Sequence, residues 1–310
     1  MLLAGVVLAL VFVVLGVLLN SAAFTGAEAA REGASDAGDA LSVQEDAVEG
    51  LGGALFYANY YNYSGGHSGI EAALRTDVRN WSNVLADDAA SHRTIVEVEL
   101  RSTTPGTQIH QDDARNFTDD NGTESWTLAG NATGVRRFSM NASVPNTTIS
   151  IDPTVSNLTD AFHVEAERDG GQTRVFMYDD ADGNLTVSRF VNGTLTDTWS
   201  ADDGDALVEL SAGRIDGRER ENLSFPGFND SFDVQYHNAD NIEGTYGLVV
   251  DNASVDGSPY AATGSPGPHQ VPAVYSATLG VTHRSATVTF VTNATVAPET
   301  TPNGTTHEVA

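Results

Sequence analysis

The chain has 310 residues, with 42 acids against 15 bases and a net charge of -27. Every base is arginine, and lysine and cysteine are both absent. This excludes disulfides, thiolate chemistry and cysteine-ligated metal, and it excludes nucleic acid as a partner, since phosphate recognition needs a basic surface.

The first element is the uncharged run Leu2 to Leu19, LLAGVVLALVFVVLGVLL. At roughly 1.5 Å per residue, about 18 apolar residues just cross a bilayer core of about 30 Å. In lipid such a run must be helical, because only a helix satisfies its own backbone there. A transmembrane anchor is therefore expected over 1–19. A secretory signal is the weaker reading, since no basic region precedes the run and the run is too long. All-round hydrophobicity argues against a helix buried in a globular core.

Over 20–64 the composition turns polar while a helical pattern persists. Ala22, Ala29, Leu41, Val43, Val48, Leu51 and Leu55 form a narrow apolar stripe among acids. This predicts a helical stalk continuing the anchor, used to pack identical helices or laid on its own head domain. The aromatic stretch from Phe56 to Tyr63 is expected to close the junction between stalk and head. In the segment 65–93 a second helix is expected. Ser68 stands three residues before Glu71, a capping-box spacing, ahead of the stripe Ile70, Leu74, Val78, Trp81 and Leu85. Gly66-His67-Ser68-Gly69-Ile70 is not a nucleophile elbow, which needs a fifth-position glycine and a preceding strand.

From Thr94 the period becomes two: Val96, Val98 and Leu100 face one way, Glu97, Glu99 and Arg101 the other. Further strands are expected at 125–128, 135–140, 162–167, 174–178, 185–191, 194–199, 206–210, 245–250, 274–281 and 287–291. Asn192-Gly193 is a two-residue hairpin signal that pairs Phe190 with Leu195 and Trp199 with Thr186. Asp169-Gly170-Gly171 signals another hairpin. Strands joined by short turns, over 94–292, predict an antiparallel β domain. A Pro/Gly-rich stretch over 257–272 reads as a loop. The Thr/Pro-rich tail over 293–310 reads as disordered. The fold class is α+β: a transmembrane helix continuing into an amphipathic stalk, a second helix, then an antiparallel β head.

Asn-x-Ser/Thr acceptors number about fifteen, all on one side of the anchor. Asn62, Asn116, Asn131, Asn141, Asn157, Asn192, Asn222 and Asn252 are among the glycosylation candidates, and their density places the large domain outside the cell. The competing reading is an Asn/Thr-rich β domain that generates such triplets by chance. The eight histidines are scattered without ligand spacing. Asp180, Asp182 and Asn184 are weak Ca²⁺ candidates, although no glycine follows Asn184 and no glutamate closes an EF-hand. No catalytic residue and no cofactor motif stands out.

The run LLAGVVLALVFVVLGVLLNSAAFTGAEAARE resembles the N-terminus of haloarchaeal pilin-like membrane-anchored surface proteins, and so does VPAVYSATLGVTHRSATVTFVTNATVAP near the end. That resemblance implies a type IV pilin-like plan and says nothing about activity. It departs from the family in one respect: a short polar or basic leader usually precedes the apolar run, and here Met1 abuts it. The expected protein is a non-enzymatic cell-surface component of a halophilic archaeon, pilin-like or of the envelope, held in the cell membrane by one span with its large domain extracellular. Its expected partners are the lipid bilayer and, through the stalk helix, itself or other pilin-like subunits. Two alternatives stand beside it: an adhesin or Ca²⁺-dependent carbohydrate-binding module, and an anchored extracellular hydrolase using acidic residues.

Overall fold

The computed structural model describes residues 37–60, 65–145, 158–168, 170–180, 182–224, 231–252, 256–262 and 264–297. The expected anchor over 1–19 lies outside the described residues, as do Asn62, Asn157 and the tail from 298 onward. Among the described residues no helix is long and apolar enough to cross a membrane.

The described chain is mostly β, which overturns the α+β class and the type IV pilin-like plan. Two helices, α1 (37–60) and α2 (Gly66–Ser91), precede fourteen strands among the described residues. These are β1 (Ile95–Asn116), β2 (Trp126–Ala132), β3 (Val135–Ser143), β4 (Phe162–Arg168), β5 (Gly171–Asp179), β6 (Leu185–Val191), β7 (Thr194–Ser200), β8 (Asp205–Glu209), β9 (Arg214–Ile215), β10 (Arg218–Glu219), β11 (Phe232–His237), β12 (Glu243–Val250), β13 (His269–Arg284) and β14 (Thr289–Val296). They form an eight-stranded sheet, β10-β9-β8-β3-β12-β1-β13-β14, and a six-stranded sheet, β2-β11-β4-β5-β6-β7. The strands outgrow their sequence signals: β1 runs on to Asn116, β13 begins inside the stretch expected as a loop, and β14 enters the expected tail.

The chain divides into two compact units, one comprising residues up to Leu51, Arg75–Arg101 and Thr278–Thr295, the other Gly52–Leu74, Ser102–Ala277 and the residues from Val296. Strands β1 and β13 run through both. In the first unit, Val96, Val98 and Leu100 are buried on alternate positions of β1, as the period of two requires. Ser82 of α2 accepts a hydrogen bond from Val98 N at 2.9 Å, and Arg75 donates to Leu100 O at 3.0 Å. A Cβ on Gly50 of α1 would meet the Trp81 ring at 3.1 Å, a tight contact.

The second unit bears on the two uses expected of the helix over 20–64, of which residues 20–36 lie outside the described residues. The end of α1 is held against strands of its own chain rather than projecting free. Asn59 is buried, donates to Val274 O at 2.9 Å and accepts from Val274 N at 2.7 Å. Arg137 lies over the Phe56 ring at 4.1 Å. Of the apolar stripe that suggested a seam for identical helices, Leu51 and Leu55 are buried, Val43 and Val48 are half-buried and Leu41 is exposed. α2 begins at Gly66, so Ser68 sits in its first turn and not at its N-cap.

The core of the second unit lies between the two sheets. Ile109, Phe138, Met140, Tyr246 and Leu248 from the larger sheet meet Leu128, Phe162, Val164, Val175, Val187 and Tyr236 from the smaller. Phe117 packs edge-on to Phe162 and Tyr246, at 5.5 and 5.0 Å between ring centres. Asn192 and Gly193 turn β6 into β7 with φ of 50° and 77°, the left-handed pair this tight hairpin demands. Phe190 pairs with Leu195 as expected, but Thr186 faces Ser200 and Trp199 faces Val187. A bulge between Arg189 and Phe190 slips the register by one, with Thr196 Oγ1 donating to Arg189 O at 3.0 Å.

Candidate functional site

Side chains alternate across a strand, so the residues between the core positions of the six-stranded sheet share its other face. Strand pairing sets His237 opposite His163, His163 opposite Phe176, Phe176 opposite Ser188 and Ser188 opposite Thr198. The neighbouring row sets Gln235 opposite Glu165 and Glu165 opposite Arg174. A strand with one wet face should expose these residues. Here His163, Glu165, Phe176, Tyr178, Thr186 and Ser188 are buried, Arg174, Gln235 and His237 are half-buried and Thr198 is exposed, so part of the face is a second interior with polar groups in it.

Its chemical centre is Glu165. Arg174 Nε donates to Glu165 Oε2 at 2.8 Å, His237 Nε2 lies 3.6 Å from the same oxygen and His163 Nε2 3.8 Å from it. The Glu165 side chain is only 6% exposed, against 29% for His237. The two imidazoles stack with ring centres 4.6 Å apart, and Phe176 covers His163 at 4.5 Å. An isolated buried carboxylate would be forced neutral. The His163 ring, and next to it the Arg174 guanidinium, hold the Glu165 carboxyl down to about 2 against the upward pull of burial. Of these two partners Arg174 is the closer donor, and it alone is within hydrogen-bond length. Burial, followed by the neighbouring His163, lowers the His237 pKa, with Glu165 pulling the other way. His237 Nε2 is buried without a hydrogen-bond partner. A carboxylate held this far down stays charged at neutral pH. It can bind cations but cannot serve as a proton donor there.

This cluster is absent from the sequence candidates. His163 and His237 are 74 positions apart, and β11, which carries His237, is not among the expected strands although its burial alternates strictly. The signal within reach was His163-x-Glu165, two polar residues on one face of an expected strand.

The Ca²⁺ candidates form the tip of the β5–β6 hairpin. Asp180 Oδ1 accepts from Asp182 N at 2.9 Å and from Asn184 N at 3.0 Å, and Asn184 turns its amide nitrogen to both carboxylate oxygens at 3.4 Å. The bond from Asn184 N, above all, lowers the Asp180 pKa. The carboxylate therefore acts as the acceptor that closes a turn.

The glycosylation candidates divide. Asn131, Asn141, Asn192 and Asn222 are exposed, and Asn131, Asn192 and Asn222 adopt positive φ, the turn conformation asparagine tolerates. Asn116 donates its side-chain nitrogen to Asp240 O at 2.8 Å and Asn252 donates to Gly130 O at 3.1 Å. A glycan on either of these would replace one of the two hydrogens on the nitrogen that makes that bond.

Compared with known proteins, the chain matches no family model, no curated protein and no solved structure.

Proposed function

We propose that the protein is a non-enzymatic, membrane-anchored surface component of a cell living in high salt, with its β body outside. The observation that carries the reading is the juxtaposition of one uncharged run, Leu2 to Leu19, with an acidic, lysine-free remainder. Exposed acceptor asparagines at Asn131, Asn141, Asn192 and Asn222 support an exported body.

Membrane fractionation of the native protein, followed by intact-mass measurement, tests it. Recovery in the membrane with added glycan mass is the expected result, and recovery free in the cytosol contradicts it. A second measurement tests the salt adaptation. With a net charge of -27, dialysis to low ionic strength lengthens the Debye length and restores self-repulsion. The melting midpoint should fall steeply with salt, and a salt-independent midpoint counts against the reading.

A further inference from the structure

We infer that His163, Glu165 and His237 form a binding site for a divalent transition-metal ion of the zinc class. One ligand atom from each lies within 4.8 Å of the others. Ligand atoms about 2.0–2.1 Å from a tetrahedral ion sit about 3.3 Å apart. The nitrogen–oxygen separations of 3.6 and 3.8 Å therefore need to close by only a few tenths of an ångström, and the two rings, stacked at an interplanar angle of 14°, must turn so that both Nε2 lone pairs meet at the ion. All three residues stand on β4 and β11, paired strands flanked on both sides within the sheet, so the set is presented by rigid backbone and not by a loop.

The surrounding groups fit a metal better than a plain ion pair. His163 Nδ1 lies 3.3 Å from Ala161 O. Donation of its proton there leaves the Nε2 lone pair facing Glu165, the arrangement in which a metal-bound imidazole is usually fixed by a backbone carbonyl. His237 Nε2 is already buried without a hydrogen bond, a cost that coordination removes. Arg174 remains as the hydrogen-bond donor that orients the carboxylate, a role that outer partners play around ligating carboxylates. The more exposed His237 gives the ion its way in. Two imidazoles and one carboxylate suit zinc-like ions, whereas Ca²⁺ and Mg²⁺ demand six or more oxygens. With three protein ligands, a tetrahedral ion keeps its fourth position for water.

The test uses the full chain, stripped with a chelator and held in high salt. One equivalent of Zn²⁺ should raise the melting midpoint. Co²⁺, used as a visible probe, should give the d–d band of a tetrahedral site and be displaced by Zn²⁺. His237→Gln should melt like the wild type without metal, bind Zn²⁺ at least roughly 100-fold more weakly, and lose the band; even outer-shell changes cost roughly 10–100-fold. Three results would each overturn the inference: no Co²⁺ band in the wild type, equal Zn²⁺ binding by the variant, or the same midpoint rise with Mg²⁺, which would mark general attraction to an acidic surface. Should the variant not fold, the wild-type Co²⁺ spectrum decides by its presence or absence.

Discussion

The inner face of the six-stranded sheet is filled by Phe162, Val164, Val175, Val187 and Tyr236, and the outer face by His163, Glu165, Phe176, Tyr178 and Ser188. Both sets are buried, yet they hold by different means. The Tyr236 hydroxyl apart, which is buried without a hydrogen bond, the inner residues gain from leaving water, each by about 1.5–3 kcal/mol, with no demand for a particular partner. The polar members of the outer face lose their hydration and recover it only through named contacts: Glu165 with Arg174, Tyr178 with Ser188, Ser188 with Thr198. Truncation on the inner face should therefore cost much whatever surrounds it. On the outer face the cost should depend on which partner remains.

The largest effect belongs to the inner face. Phe162→Ala removes a ring that packs on Phe117 and Tyr236 at 5.5 and 5.2 Å. Chemical denaturation should show a loss of about 3–5 kcal/mol. A loss under 1 kcal/mol would mean that the two sheets do not share a core.

The next test opens the outer face. Glu165→Ala leaves Arg174 without its carboxylate and should cost about 1–3 kcal/mol, less than for a fully dry pair because the Arg174 side chain is 37% exposed. Replacing both residues, Glu165→Met with Arg174→Met, should cost less than the single change, since no charge is stranded. Equal losses in the single and double variants would show that the pair is solvated and the outer face is ordinary surface.

The same asymmetry explains what the sequence disclosed. Strand positions whose partners are apolar announce themselves by alternation, and Val96, Val98 and Leu100 did so. The turn at Asn192-Gly193 was equally legible, because its backbone needs residues that accept positive φ. The bulge after Arg189 was not, since nothing local fixes a one-residue slip except the contact it creates with Thr196. The stripe on α1 was readable as a stripe, but periodicity does not say what covers it, and Asn59 clamping Val274 is a contact 215 positions long. The outer face was least legible of all. A buried His163 or Glu165 looks identical to a wet one until β11 and β5 arrive on either side.

Acid provides a milder probe of that face. The folded-state pKa of Glu165, about 2, lies below its ordinary 4.5. Its contribution is therefore complete above about 4.5 and is lost as the pH falls from there toward 2. His237, also lowered, adds to the loss below its ordinary 6.5, where the unfolded chain takes up a proton first. With chelator present, the stability gap between wild type and Glu165→Gln should be smaller at pH 3 than at pH 5. A gap that stays constant to pH 3 would mean that the carboxylate has no favoured charge state in the fold.

The smallest expected effect is the most discriminating. Tyr178 OH and Ser188 Oγ lie 3.0 Å apart, and Ser188 Oγ is 3.0 Å from Thr198 Oγ1. Tyr178→Phe and Ser188→Ala should each cost about 1 kcal/mol, because each breaks the buried bond between Tyr178 OH and Ser188 Oγ. Together they should cost less than the sum by about 0.5 kcal/mol or more, since the second change removes the group the first left unpaired. Strict additivity would say that water reaches these hydroxyls in the folded state, and that the outer face is an interior only in its packing and not in its polarity.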